Sequence, residues 1–312
     1  MIRCVSVSGG KDSTACALLA LEKYPKKEIR LVFADTGNEH ETTIDYLTNY
    51  LPGALGMEIH TVRADFTRDL ARKAEYCRTV WAEEEIPQEK IDRAIAILKP
   101  TGNPFLDLCT WKGRFPSRRA QFCTEQLKKF PIEAYQMTLL EEFGEVESWQ
   151  GIRADESQNR AAKCDYEATP MPGLTIYRPI LKWTAQETVD YVRSRGIKLN
   201  PLYKQGMERV GCMPCINVRK AELLEISRRF PEHVQRIAEW EKLVGDASKW
   251  DAATFFPAAN LGVETAEEAY GTANILQIVE WSKTGHGGKQ YDLFKASTEE
   301  PEMCSSAYGL CE

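Results

Sequence analysis

The stretch that most restricts the fold is Ser8-Gly9-Gly10-Lys11-Asp12-Ser13, which stands between a short apolar run, Arg3-Cys4-Val5-Ser6-Val7, and a helical pattern over residues 14–21. A strand that feeds a helix through a glycine pair belongs to α/β arrangements, where ligands gather at the carboxyl ends of strands. Adjacent glycines let the backbone turn tightly and approach an anion, and the following helix offers unpaired amides and the positive end of its dipole. Lys11 adds a full charge. The run is not a Walker A loop, because Val5 stands where that pattern needs its first glycine and Asp12 follows the lysine in place of Ser or Thr.

Strand and helix patterns alternate through the first half, as βαβ units require. Residues 29–34 read as a second strand ending at Asp35-Thr36-Gly37, where an acid and a turn glycine meet. A helix over 42–51, a strand over 57–62 and helices over 66–77 and 88–98 follow. The prolines and glycine of residues 99–104 break the pattern, so the chain to Ser117 is expected as an ordered loop. Helices are predicted over 119–129 and 132–143, then a strand over 146–151 that delivers Gly151 and Arg153 at its end. Tyr177-Arg178-Pro179-Ile180 and a helix over 185–195, capped by Thr184, close this part. The expectation is an α/β, Rossmann-like doubly wound parallel sheet over residues 1–200. Residues 201–312 form a mainly helical, cysteine-bearing region, with helices over 220–230, 232–244 and 273–281 and a glycine turn at residues 285–288.

The net charge of −6, with 28% charged and 43% hydrophobic residues, describes a soluble chain without a general nucleic-acid coat. No apolar run reaches a membrane span, and the N-terminus shows no secretory pattern, so a cytoplasmic protein without disulfides is expected. Basic residues nevertheless cluster at Lys112, Arg114, Arg118, Arg119, Lys128 and Lys129 around one acid, Glu125. The arginines sit among Gly, Pro and Ser and suit phosphate or sulfate capture, as do Arg153, Arg160 and Arg178; Lys128 and Lys129 read as a solvated helix face. The four histidines are scattered among unlike elements, with His40 alone near a strand-end site.

Ten cysteines remain to be placed. Cys212-Met213-Pro214-Cys215 has the spacing that brings two thiolates to one metal, or that forms a redox pair; its position ahead of late helices favours the metal. Further ligands would come from Cys109, Cys123, Cys304 and Cys311. Cys4 and Cys16 fit a strand and a helix of the core.

Ser-Gly-Gly-Lys-Asp-Ser after an N-terminal strand resembles the pyrophosphate loop of the ATP pyrophosphatase superfamily, whose members include PAPS and APS reductases and tRNA or DNA sulfur-insertion enzymes. Asn200-Pro201-Leu202-Tyr203 with Gly211-Cys212-Met213-Pro214-Cys215 is similar to the APS reductase segment that supplies one cysteine pair of a four-iron, four-sulfur (4Fe-4S) cluster. The stretch from Gly113 to Thr124 resembles the segment that supplies the other pair. Trp149-Gln150-Gly151-Ile152-Arg153 with Arg160 is similar to the arginine motif that holds the nucleotide-linked sulfate.

This chain departs from the reductases in three places. Phe122-Cys123 replaces two adjacent cysteines, the tail reads Gly309-Leu310-Cys311-Glu312, and the nucleotide loop keeps Lys11 and Asp12. The resemblance therefore implies an ATP pyrophosphatase that adenylates a substrate and releases pyrophosphate, with Lys11 and Asp12 catalytic. Ser8, Gly9, Gly10, Ser13, Asp35, Thr36, Gly37, Gly151 and Arg153 would bind nucleotide, and Asp12 or Asp35 would hold magnesium. A cluster on Cys123, Cys212, Cys215 and Cys304 or Cys311 would serve sulfur transfer from a donor such as a cysteine desulfurase to a nucleic acid or small acceptor. Two alternatives stand: a PAPS or APS reductase with Cys311 as nucleophile, and a non-catalytic nucleotide-binding subunit with structural zinc on Cys212, Cys215, Cys304 and Cys311.

Overall fold

The computed structural model describes residues 1–257 and 265–285. Strand β1 (Ile2–Ser6) passes through the glycine turn into α1 (Lys11–Lys23), and β2 (Ile29–Asp35) follows. Where a helix over 42–51 is expected, α2 (Glu41–Asp45), a π-helical turn (Tyr46–Tyr50) and α3 (Leu51–Leu55) run on without interruption. Next come β3 (Ile59–Arg63), α4 (Thr67–Glu83) and α5 (Gln88–Ile97).

The expected loop over 99–117 holds a helix, α6 (Pro104–Lys112). Asn103 caps it by accepting the Leu106 N–H at 3.0 Å, and Pro104 stands at the first helical turn, where a missing N–H costs nothing. The proline that breaks the pattern before it starts the helix after it. No helix begins at residue 119; residues 117–120 close a tight turn with reciprocal Ser117–Ala120 backbone bonds. The helix instead starts as α7 (Phe122–Thr124), passes through a second π-helical turn (Glu125–Lys129) and continues as α8 (Phe130–Phe143).

The chain then forms β4 (Val146–Trp149), α9 (Gln158–Ala161), β5 (Tyr166–Ala168), β6 (Leu174–Tyr177) and α10 (Ala185–Ser194). Thr184 caps α10 as expected, in a reciprocal box with Glu187. The later helices are α11 (Lys220–Arg229), α12 (Pro231–Asp246), α13 (Ala266–Ala273) and α14 (Ile275–Ser282). The helix expected over 273–281 starts at Ile275, after Asn274, whose side chain accepts from Gln277 N. Of the glycine turn expected at residues 285–288, residues 286–288 lie outside the described residues, as does the tail with Cys304 and Cys311.

The sheet has the order β3-β2-β1-β4-β6-β5, with parallel pairing except between β5 and β6. This is the expected α/β doubly wound architecture. Alternate residues face opposite layers: Ile2 and Cys4 pack with Val146, Leu174 and Leu139 of α8, while Val5 and Val7 pack with Cys16 of α1 and Val192 of α10. α4, α5 and α6 leave the sheet and join α11, α12 and α14 in a helical core that includes Leu70, Trp81, Phe105, Trp240 and Phe255. Phe105 stacks on Trp240 at 5.6 Å. Each such side chain contributes roughly 1.5–3 kcal/mol when fully buried. Tyr203, Val210 and Met213 belong to this core, which thereby holds the CxxC segment at the end of the sheet. Among the described residues no helix is long and apolar enough to cross a membrane.

Candidate functional site

β1 has neighbours on both sides, β2 and β4, and the chain winds outward in opposite directions from that pair of contacts. The crevice at such a switch point, outside the strand carboxyl ends, is where open α/β sheets bind ligands. Ser8 to Ser13 occupy it. Gly9 adopts φ +75°, a conformation costly for any side chain, and Gly10 caps α1. The Ser13 hydroxyl closes the turn, accepting the Ser8 N–H and donating to the Gly10 carbonyl, both at 3.0 Å. Lys11 is buried in the first turn of α1, with its ammonium 3.5 Å from Asp12 and 5.6 Å from the centre of the Tyr203 ring. Its backbone N–H donates to the Tyr203 hydroxyl at 3.0 Å.

The turn after β4 lies against this loop. A Cβ on Gly151 would stand 3.0 Å from the carbonyl of Asp12 and the amide nitrogen of Ser13, so no side chain fits there without backbone movement. Arg153, buried at 4% exposure, donates from Nε to Asp12 at 2.6 Å and from Nη1 to both oxygens of Asp155 at 2.6 Å. It braces the phosphate loop to the neighbouring strand end. Arg160 pairs with Glu156 nearby, and burial, with Arg209 and Arg153 adding repulsion, holds it below the ordinary guanidinium range. Arg178 is elsewhere: it is buried between Glu167, at 2.6 Å, and the Cys164 carbonyl, at 2.9 Å, and ties β5 to the end of β6.

A cavity of about 690 Å³ opens on the α8 face of the sheet, and none of residues 8–13 lines it. Ser6, Ser148 and Gln150 line it from β1 and the β4 end, Ile176 from β6, and Lys128, Ile132 and Gln136 from the helix.

The end of β2 leads to the thiols. Asp35 is engaged by Arg63 at 2.9 Å and by the Gly37 N–H at 2.9 Å. Thr36 is buried, donates to Glu39 at 2.7 Å and lies 3.4 Å from the Cys212 sulfur. Glu39 pairs with Cys212 as an isolated antiparallel bridge, and its carboxylate is 3.9 Å from that sulfur. Burial pushes the Cys212 thiol up to about 12, the Lys128 charge opposing and Glu39 adding to the rise. Burial likewise raises Glu39. Lys128 keeps exposed surface because it lines the cavity, yet Cys212, then Glu39, Cys215 and Cys123, hold it above the ordinary lysine range. Lys128 is thus exposed, as a solvated face requires, while the thiols also raise its pKa. The Asn217 N–H points to the Cys215 sulfur at 3.5 Å. Cys123 is raised mainly by burial, with Cys215 close enough to add to the rise, and Cys109 lies fully buried behind it on α6.

The histidines are not all scattered. His40 and His233 stack at 4.7 Å, and Glu41 approaches His233 Nε2 at 3.1 Å. Their positions, 40 and 233, carry no spacing signal. Tyr203 is legible in the sequence only within the Asn200–Tyr203 segment. Glu39 and Arg236, whose guanidinium donates to Asn38 at 3.0 Å and to the Met213 carbonyl at 2.9 Å, belong to no motif.

A family model for the phosphoadenosine phosphosulfate reductase domain matches residues 3–218, from β1 through the CxxC segment. The chain belongs to the phosphoadenosine phosphosulfate reductase domain family. Within it, an uncharacterised 37.8 kDa protein of Escherichia phage 186 is 47% identical, over 100% of this chain and 97% of that protein. An adenosine 5'-phosphosulfate reductase of Halalkalibacterium halodurans is 24% identical over 66% of this chain and 80% of its own length. A phosphoadenylyl-sulfate reductase from Candida auris aligns with a TM-score of 0.43 at 14% identity, covering 69% of this chain and 83% of that one. In this reductase-domain chain the matched residues include the Ser8–Ser13 loop, Arg153, Cys123, Cys212 and Cys215.

Proposed function

We propose that the chain is an ATP pyrophosphatase: it binds ATP at the β1–β4 switch point, passes the adenylyl group to an acceptor oxygen and releases pyrophosphate. The observation that carries this reading is Lys11, a lysine buried in the first turn of α1, directly after the glycine turn. The departing pyrophosphate gathers negative charge as its bond to the α-phosphorus breaks. An ammonium and helix amides fixed there before reaction stabilise that charge without reorganising. Arg153 supports them by holding Asp12, and the Gly151 approach fixes the loop's distance from β4. The cavity, with Ile132, Leu174 and Ile176 beside Ser148 and Gln150, has the size and the sparse polar groups suited to an adenosine.

Asp12 and Asp35 each already engage a guanidinium, so magnesium enters with ATP as part of the substrate. The sulfur donors of Cys123, Cys212 and Cys215, with Lys128 beside them to offset thiolate charge, fit a thiolate-bound group. Those residues would hold an iron–sulfur cluster serving sulfur transfer, and Cys212 and Cys215 alone of them would serve zinc in a structural role. Buried thiols raised in pKa lose their protons to such a cation.

The test is pyrophosphate release from ATP against thioredoxin-dependent sulfite release from PAPS or APS. Pyrophosphate release that disappears in Lys11→Ala supports the reading. Sulfite release with ATP inert overturns it and makes the chain a sulfonucleotide reductase.

A further inference from the structure

The loop between α6 and α7 presents a cationic strip that the nucleotide site does not use. Lys112, Arg114, Arg118 and Arg119 are all exposed. Among the described residues none of them has a carboxylate within ion-pair distance, whereas Arg63, Arg93, Arg153 and Arg178 each hold one. In a chain whose acids outnumber its bases, unpaired cations gathered this closely mark a place where negative charge is supplied from outside.

The strip is also ordered. Reciprocal Ser117–Ala120 bonds of 3.1 Å place Arg118 and Arg119 at the tip of a two-residue turn. The Lys112 ammonium sits 3.7 Å from the centre of the Trp111 ring, and the Arg114 guanidinium 5.6 Å from that of Phe122. Trp111 is itself fixed by stacking on Phe66 at 5.6 Å. Rings that hold the side-chain heads reduce the entropy lost when each cation meets an anion. From Phe122 the chain passes Cys123 and reaches Thr124, Lys128 and Lys129, which line the cavity and lie beyond the strip.

No large exposed hydrophobic side chain lies within residues 111–122. A protein partner normally needs such an anchor at the centre of its interface. A run of guanidinium forks and ammonium groups without one suits evenly spaced phosphates. We propose that residues 112–119 dock the phosphodiester backbone of a nucleic acid strand and lead it toward Cys123. The role of the docked strand as acceptor rests on the ATP pyrophosphatase reading; the docking itself does not.

The experiment measures fluorescence anisotropy of labelled 30-nucleotide single-stranded RNA, single-stranded DNA and duplex DNA with the full chain, without ATP, across a salt titration. Binding is expected with a log–log salt slope of about −2 to −4, from three or four phosphates neutralised. Arg118→Glu with Arg119→Glu weakens it at least about tenfold and flattens the slope by about 1–2. Arg68→Glu with Arg193→Glu, an equal charge change at exposed arginines of α4 and α10, leaves binding within about twofold, and thermal unfolding confirms that both variants fold. Preference among the three probes identifies the strand type. Absence of binding to all three at 50 mM salt overturns the proposal. So does binding untouched by the turn-tip variant, or displacement by polyglutamate as readily as by nucleic acid, which would assign the strip to an acidic protein. Because ATP is absent, loss of pyrophosphatase activity alone leaves this result standing.

Discussion

Gly151→Ala tests whether the phosphate loop is held by close approach of the β4 turn. The added Cβ would sit 3.0 Å from Asp12 C and O and from Ser13 N, all of them backbone atoms that cannot rotate away. At such a distance the neighbour must give by a few tenths of an ångström, and here the neighbour is backbone. Retreat pulls against Arg153, whose bonds to Asp12 and Asp155 are already 2.6 Å long. Overpacking of this kind costs about 1–3 kcal/mol. At about 2–4 °C per kcal/mol for a chain of this class, thermal unfolding should fall by roughly 2–12 °C. The loop displaced is the one proposed to hold pyrophosphate, so turnover of ATP should also fall, by several-fold for a displacement of this size. Differential scanning fluorimetry with and without ATP, together with pyrophosphate release, reads both effects. Unchanged Tm and unchanged turnover in G151A would refute the close-approach argument, because the glycine would then be an ordinary turn residue.

Arg153→Ala removes the guanidinium from a largely buried pair with Asp12 and should destabilise the chain by about 3 kcal/mol in urea unfolding, with Arg153→Lys recovering part of it; a loss under about 1 kcal/mol would show that the brace is dispensable. Glu241, buried on α12, accepts backbone N–H groups of Phe255 at 2.7 Å and Ile275 at 2.9 Å, and burial raises its pKa from 4.5 to about 7. Between those values the folded chain holds more protons than the unfolded one, so this carboxyl's contribution to stability falls as pH rises from about 4.5 to 7, by up to about 3 kcal/mol. Glu241→Gln should remove that component, so unfolding curves of the two proteins must converge or cross with rising pH; a constant difference would mean that Glu241 does not titrate there. After anaerobic purification, Cys123→Ser should lose bound iron while nucleotide binding persists, and unchanged iron content would take Cys123 out of the ligand set.

The sheet was legible because each of its first three strands ends in turn chemistry and is followed by a helical pattern, so periodicity and punctuation agree. The phosphate loop was legible for the same reason: Gly9 and Gly10 are local conformational requirements. α6 was missed because Pro104 carries two opposite meanings, a stop for the segment before it and a start for the helix after it, and only the Asn103 cap decides between them. β5 and β6 were hidden by their shortness. Juxtaposition is the part that no local pattern supplies. Thr36 against Cys212, Lys128 among the thiols and His40 on His233 depend on how the helical core seats the CxxC segment on the sheet. None of these pairs leaves a spacing that the sequence can carry.

That helical core gathers segments from distant parts of the chain, and its consequence falls on the order of assembly. In the unfolded chain a metal ion meets the close pair Cys212 and Cys215, but Cys123 reaches them only after α6, α7 and α12 have packed. Contacts of such long sequence separation, like the 176 residues between Thr36 and Cys212, form slowly because loop closure precedes any reward. If these thiols hold metal as proposed, metal delivered during synthesis meets a two-thiol trap, whereas metal delivered to the folded chain meets Cys123 as well. Loading efficiency should depend on when the metal arrives as much as on how much is present.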